Sequence, residues 1–175
     1  FQVMSVLSTA GFATTDFNLW PEISRWVLVM LMFCGACAGS TGGGMKIGRV
    51  MLMGKAAHCE IRRLIRPRTV NRVMINGKAV DDDTIRGSLI FSFLYVLLLL
   101  VCTLVVSIDG FDMVTNFTAS LSCLSNVGPG LGLVGPMGNF AMYSPLSKIV
   151  LTVAMLIGRL EVFPILILFS PSLWK

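Results

Sequence analysis

Residues 112–139 read DMVTNFTASLSCLSNVGPGLGLVGPMGN, and the architecture follows from this stretch. Its first part, 112–125, is helix-length but too short and too polar to span a bilayer. It runs into Asn126, Val127, Gly128, Pro129 and Gly130, then a glycine-rich loop to Asn139. A half-length helix followed by glycine-rich extended backbone has the form of a re-entrant pore helix. Irregular backbone at membrane depth survives only where protein or a water-filled cavity surrounds it. The competing reading is an amphipathic helix lying on the membrane surface. It fits poorly, because the segment has neither Lys nor Arg.

The surroundings are those of a membrane protein. Of 175 residues, 55% are hydrophobic and 13% charged, with a mean hydropathy of +0.81. A soluble domain carries about 25% charged residues, so a soluble enzyme and a disordered segment are both disfavoured. Residues 88–108 carry no charge and reach about 32 Å as a helix, enough to cross. Residues 145–170 form a second crossing, interrupted by Arg159, Glu161 and Pro164. Upstream, 26–38 is apolar, breaks at Gly39, Ser40, Thr41, Gly42, Gly43 and Gly44, and resumes through 45–57. Phe1 lies in an apolar stretch without a basic leader or cleavage site. The chain therefore reads as part of a longer protein, cut at its N-terminal side.

Ten of the fourteen Lys and Arg lie between Lys46 and Arg86. Flanked by apolar crossings, this block reads as a topology signal held in the cytoplasm, not as a nucleic-acid site. Within it, Asn76-Gly77 predicts a tight hairpin, and Asp81, Asp82 and Asp83 open the next helix. Residues 88–108 then run outward, and both 26–57 and 145–170 run inward. Cys34 and Cys37 have C-x-x-C spacing but no second ligand pair, so all five cysteines read as small buried hydrophobes. His58 is the only histidine. Residues 39–46 fail the phosphate-loop pattern, because Met45 and not Lys follows Gly44. No catalytic dyad is present, and the chain reads as no enzyme.

An internal repeat carries the functional signal. Thr9-Ala10-Gly11-Phe12-Ala13 and Asn126-Val127-Gly128-Pro129-Gly130 each follow a short helix and precede an inward crossing. Both read polar, small apolar, Gly, bulky ring, small. This is a degenerate form of Thr-Val-Gly-Tyr-Gly, the loop whose carbonyls replace the hydration shell of potassium.

With Gly35–Lys46, Asn126–Gly132 and Gly158–Phe163 added, the sequence resembles the C-terminal half of the TrkH-type potassium uptake family, in the Trk/Ktr/HKT superfamily. The resemblance implies an all-α integral membrane fold. Repeated units of helix, re-entrant pore helix and helix surround one pore, as in a potassium channel. Residues 1–57 would be the third unit without its first helix, 58–87 a basic cytoplasmic loop with a hairpin, and 88–175 the fourth unit. Filter strands would be Thr9, Ala10, Gly11 and Phe12, and Asn126, Val127, Gly128, Pro129 and Gly130. The backbone carbonyls of Thr9, Ala10, Asn126 and Val127 would face potassium, the transported substrate. Gly11 and Gly128 would be the selectivity glycines, where a Ser is associated in the superfamily with sodium permeation.

The same resemblance makes Gly39–Gly44 an intramembrane gating loop under the filter; an ordinary kink is the competing reading. Arg159 would be a positive barrier in the pore. A charge at mid-span costs about 2.5–3.5 kcal/mol or more, and a residue that only ties helices together is the alternative. Lys46 is a second cation, nearer the cytoplasmic mouth. Implied partners are the missing N-terminal half, a second copy in a homodimer, a cytoplasmic nucleotide-binding regulatory subunit and membrane lipid. The implied location is the bacterial inner membrane, with no cofactor. Rivals are a sodium-permeable member of the superfamily, a secondary transporter with a mid-membrane site, and a non-transporting membrane subunit. The transporter rival predicts inverted repeats, whereas these two units run in the same direction.

Overall fold

The computed structural model describes residues 1–35, 43–66, 73–75 and 78–160. Six helices lie in this region: α1 (Gln2–Leu7), α2 (Glu22–Phe33), α3 (Ile47–Ile65), α4 (Asp82–Val106), α5 (Met113–Ser125) and α6 (Pro145–Leu160). Two small pairings accompany them. β1 (Cys34–Gly35) pairs in parallel with β2 (Met45–Lys46), and β3 (Met74–Ile75) pairs antiparallel with β4 (Lys78–Ala79).

α4 follows from its sequence. Asp81 is its N-cap residue, and Asp82 and Asp83 occupy the first turn, where carboxylates meet the positive end of the helix dipole. The helix starts several residues before the uncharged run 88–108 and continues through a 3₁₀ turn, Ser107–Asp109. Asp82–Asp109 is 28 residues long and, among the described residues, the one helix long and apolar enough to cross a membrane. It exposes Phe93, Val96, Leu97, Leu100 and Leu104 and buries Phe91, Tyr95, Leu99 and Cys102. Apolar side chains on its open side suit lipid or further protein, not water.

α5 is the centre of the arrangement. It begins at Asp112, whose carboxylate accepts from the Val114 amide (3.2 Å), and ends at Asn126 in the left-handed region. Residues Thr118 through Ser125 are all buried, although five of these eight carry a hydroxyl or a thiol. α2, α4 and α6 pack around it. An amphipathic helix on a surface would keep one face open along its length, whereas this one is covered from Thr118 to Ser125. One core joins both halves of the chain: Val6, Phe17, Leu28 and Met32 meet Tyr95, Leu99, Leu121, Leu124 and Val127.

Two features differ from the sequence expectation. The basic segment after residue 57 does not begin as a loop, because α3 continues to Ile65. Lys, Arg and Glu are good helix formers, the first breaker is Pro67, and Glu60 and Arg63 pair at 3.7 Å on its surface. The second is the β1–β2 pairing, which closes the two ends of the glycine-rich segment against each other. It needs glycine: a side chain at Gly35 would overlap the Gly43 carbonyl. The β3–β4 register, Met74 with Ala79 and Ile75 with Lys78, is that of a hairpin. Asn76 and Gly77, expected to form the turn, lie outside the described residues.

Candidate functional site

The two repeated segments follow the same backbone path. Thr9 and Asn126, at the ends of α1 and α5, have φ of 57° and 56°. They are the two non-glycine residues with positive φ among the described residues. Two positions on, Gly11 and Gly128 have φ of 75° and 109°, a region L side chains avoid. The helix ends close in the same way. Thr9 N–H donates to Val6 O and Asn126 N–H to Cys123 O, both at 3.1 Å. Ala10 N–H donates to Ser5 O (2.9 Å) and Val127 N–H to Ser122 O (3.0 Å). This is the paired bonding that satisfies the last carbonyls of a helix as the chain turns away.

The segments also meet in space. A side chain at Gly11 would overlap the Val127 carbonyl oxygen and lie 3.4 Å from the Pro129 ring. The nearest atom to a side chain at Gly128 would be Gly11 Cα, at 4.0 Å. Beyond the segments, Asn18 joins the two halves. Its Nδ2 donates to Gly132 O (3.1 Å), and its Oδ1 accepts from the Gly132 amide (3.0 Å). Thr118 Oγ1 accepts from Leu131 N–H (3.0 Å). Near the N-terminal end of α5, Tyr143 donates to Asn116 Oδ1 (3.2 Å). Burial pushes the Tyr143 phenol up to about 12, so it stays a neutral donor at working pH.

The described end of the glycine-rich loop approaches the second segment. Gly39, Ser40, Thr41 and Gly42 lie outside the described residues; Gly43 and Gly44 do not. A side chain at Gly43 would lie 2.5 Å from Ser125 O and 3.0 Å from Asn126 Nδ2. Gly44 has φ of 79° and faces the Ser125 side chain. The end of this loop therefore rests on the C-terminal end of α5. Tyr95 fixes that end through a buried bond to Ser125 Oγ of 2.7 Å. Removing it with Tyr95→Phe leaves a buried hydroxyl without that partner. The expected cost is about 1–2 kcal/mol, read as a lower unfolding temperature of the full-length protein in detergent.

α6 closes the arrangement. Asn126 Nδ2 donates to Met155 O (3.0 Å). Gly158 lies against the Leu124 carbonyl so closely that a side chain there would overlap it. Arg159 follows in the last turn of α6 and is exposed; Glu161 and Pro164 lie outside the described residues. Lys46 is half-buried at the end of β2. Sequence reasoning placed Gly158 in a motif but gave it no role, and it missed Asn18, Ser5 and Ser122. The serines had a signal: they keep the offset of the Thr9–Asn126 repeat.

The profile of the TrkH family, described as cation transport proteins, matches residues 1–175. The chain belongs to the TrkH family. It is 38% identical over its whole length to the Trk system potassium uptake protein TrkH of Salmonella typhimurium, covering 36% of that protein. It is 40% identical to the TrkH protein of Vibrio parahaemolyticus and 35% identical to the Trk system potassium uptake protein TrkG of Escherichia coli, again covering 36% of each. The crystal structure of the potassium transporter TrkH from Vibrio parahaemolyticus superimposes with a TM-score of 0.86 at 39% identity. The match covers 99% of this chain and 37% of that one. The chain thus spans little more than a third of the length of these TrkH-family relatives and has their helical transporter fold.

Proposed function

We propose that this chain forms part of a potassium uptake protein of the bacterial inner membrane and supplies two strands of its selectivity filter. The observation that carries this is the shared backbone path of Thr9–Gly11 and Asn126–Gly128, with paired positive-φ residues in two segments that face each other. The names of the relatives support potassium as the substrate. In this reading the carbonyls of Thr9, Ala10, Asn126 and Val127 take the place of potassium's water shell. Both strands keep glycine where a side chain would narrow the path, which favours potassium over sodium.

The glycine loop 39–44 acts as the gate. Its contact with Ser125 and Asn126 couples its position to the filter's lower end. Arg159 supplies a positive barrier in the ion path, and Lys46 a weaker one near the cytoplasmic mouth. The remaining filter strands come from the N-terminal half of the protein. The whole protein works as a homodimer in lipid, with a cytoplasmic nucleotide-binding subunit docked on the basic segment 58–87.

The test is growth at low potassium of bacteria lacking their own uptake systems, with the full-length protein expressed. Rescue by potassium, and not by sodium, supports the reading; membrane-inserted protein without rescue rejects it.

A further inference from the structure

We propose that Ser5 and Ser122 are positioning residues that set where the carbonyl ladder of each filter strand ends. This rests on the reading of the two segments as filter strands. Ser5 Oγ donates to the Phe12 carbonyl (2.6 Å), and Ser122 Oγ donates to the Pro129 carbonyl (3.0 Å). Each serine sits one turn before the end of its short helix, and each bound carbonyl belongs to the residue after the positive-φ glycine. The two bonds occupy the same place in the two units. Local competition for helix backbone does not account for them, because a serine in a helix bonds carbonyls three or four positions back. These bonds reach seven positions forward.

The chemistry gives the consequence. A carbonyl oxygen bound by a hydroxyl from its own helix is turned toward that helix and away from the facing strand. The carbonyls at Phe12 and Pro129 are thereby withdrawn from the ion path, and the strand offers ligands only up to the glycine. The hydroxyl also anchors the strand beyond the glycine, so the carbonyls before it keep their spacing. Serine does this without bulk: both serines are buried, Ser5 at 7% and Ser122 at 0% exposure. Without the hydroxyl, the fourth carbonyl is free to rotate toward the path, and the strand loosens.

The test compares potassium and sodium flux of the full-length protein, in membrane vesicles from cells lacking other uptake systems. Four variants are needed: Ser122→Ala, Ser122→Thr, Ser120→Ala and Gly128→Ser. Ser120 is the internal control, since its hydroxyl is buried on the same helix and bonds nothing among the described residues. Loss of one such hydrogen bond predicts an about two- to tenfold fall in potassium-over-sodium preference for Ser122→Ala. Ser122→Thr is expected to retain the preference and Ser120→Ala to leave it unchanged. Ser5→Ala provides the same readout in the other strand should Ser122→Ala fail to accumulate. An unchanged preference in the alanine variants, with Gly128→Ser impaired, overturns the clamp and leaves the filter standing. Equal loss in Ser122→Thr and Ser122→Ala overturns it too, since the hydroxyl is then not the cause. Unchanged preference in all variants, Gly128→Ser included, rejects the filter reading itself.

Discussion

Gly11→Ala is expected to abolish potassium uptake by the full-length protein. Two effects act together. At φ of 75° an L side chain costs about 1–2 kcal/mol in backbone strain. The added methyl also overlaps the Val127 carbonyl oxygen of the facing segment, one of the oxygens proposed to bind the ion. Neither backbone can yield cheaply, because Ala10 and Val127 are tied by their amides to Ser5 and Ser122. Uptake at low external potassium is the readout, with membrane abundance measured alongside. A variant that is abundant and transports normally would mean that the Gly11–Val127 contact does not border an ion path.

The second large effect is expected at Gly158. A β-carbon there overlaps the Leu124 carbonyl oxygen and lies 2.8 Å from its carbon. Helix α6 must then move away from the end of α5, which breaks the Asn126–Met155 bond and opens the core around Leu124 and Ala154. Forced overpacking of this kind costs about 1–3 kcal/mol, and the lost bond adds to it. Gly158→Ala should lower the unfolding temperature of the full-length protein in detergent by several degrees. Gly54→Ala, at a helical glycine with open space around it among the described residues, should not, since alanine is the better helix former. Equal melting of both variants would mean that the α5–α6 contact is looser than described.

Much of this arrangement is legible in the residues. The polar half-length helix ending at Asn126 is visible because hydroxyl-rich sequence too short to span must be covered by protein. The repeat is visible because a backbone turning through positive φ needs glycine twice, at Gly11 and Gly128. Asp81 to Asp83 mark the start of α4 through helix electrostatics. What the sequence hides is non-local. The Asn18–Gly132 tie joins residues far apart in the chain, and an asparagine in a loop has no pattern that names its partner. Gly158 looks like any helical glycine until α5 is packed on it. Ser5 and Ser122 look like ordinary helical serines until the chain folds back and brings Phe12 and Pro129 over them. The extension of α3 to Ile65 was concealed for another reason: a run of cations reads as a loop by charge, while its backbone preference is helical. Arg159 is legible as an isolated charge in an apolar helix, and the structure adds its position directly after the Gly158 contact.

The central claim is that Gly11 and Gly128 belong to a potassium-selective filter. Gly128 gives the most direct access to it. A side chain there meets nothing nearer than Gly11 Cα at 4.0 Å, so Gly128→Ser has room to fold despite its backbone strain. The decisive measurement is the potassium-to-sodium uptake ratio of the full-length protein, wild type against Gly128→Ser, at matched membrane abundance. The account predicts a potassium-preferring wild type and a variant whose preference is lost or sharply reduced. A variant that folds, transports and discriminates as the wild type does would contradict it.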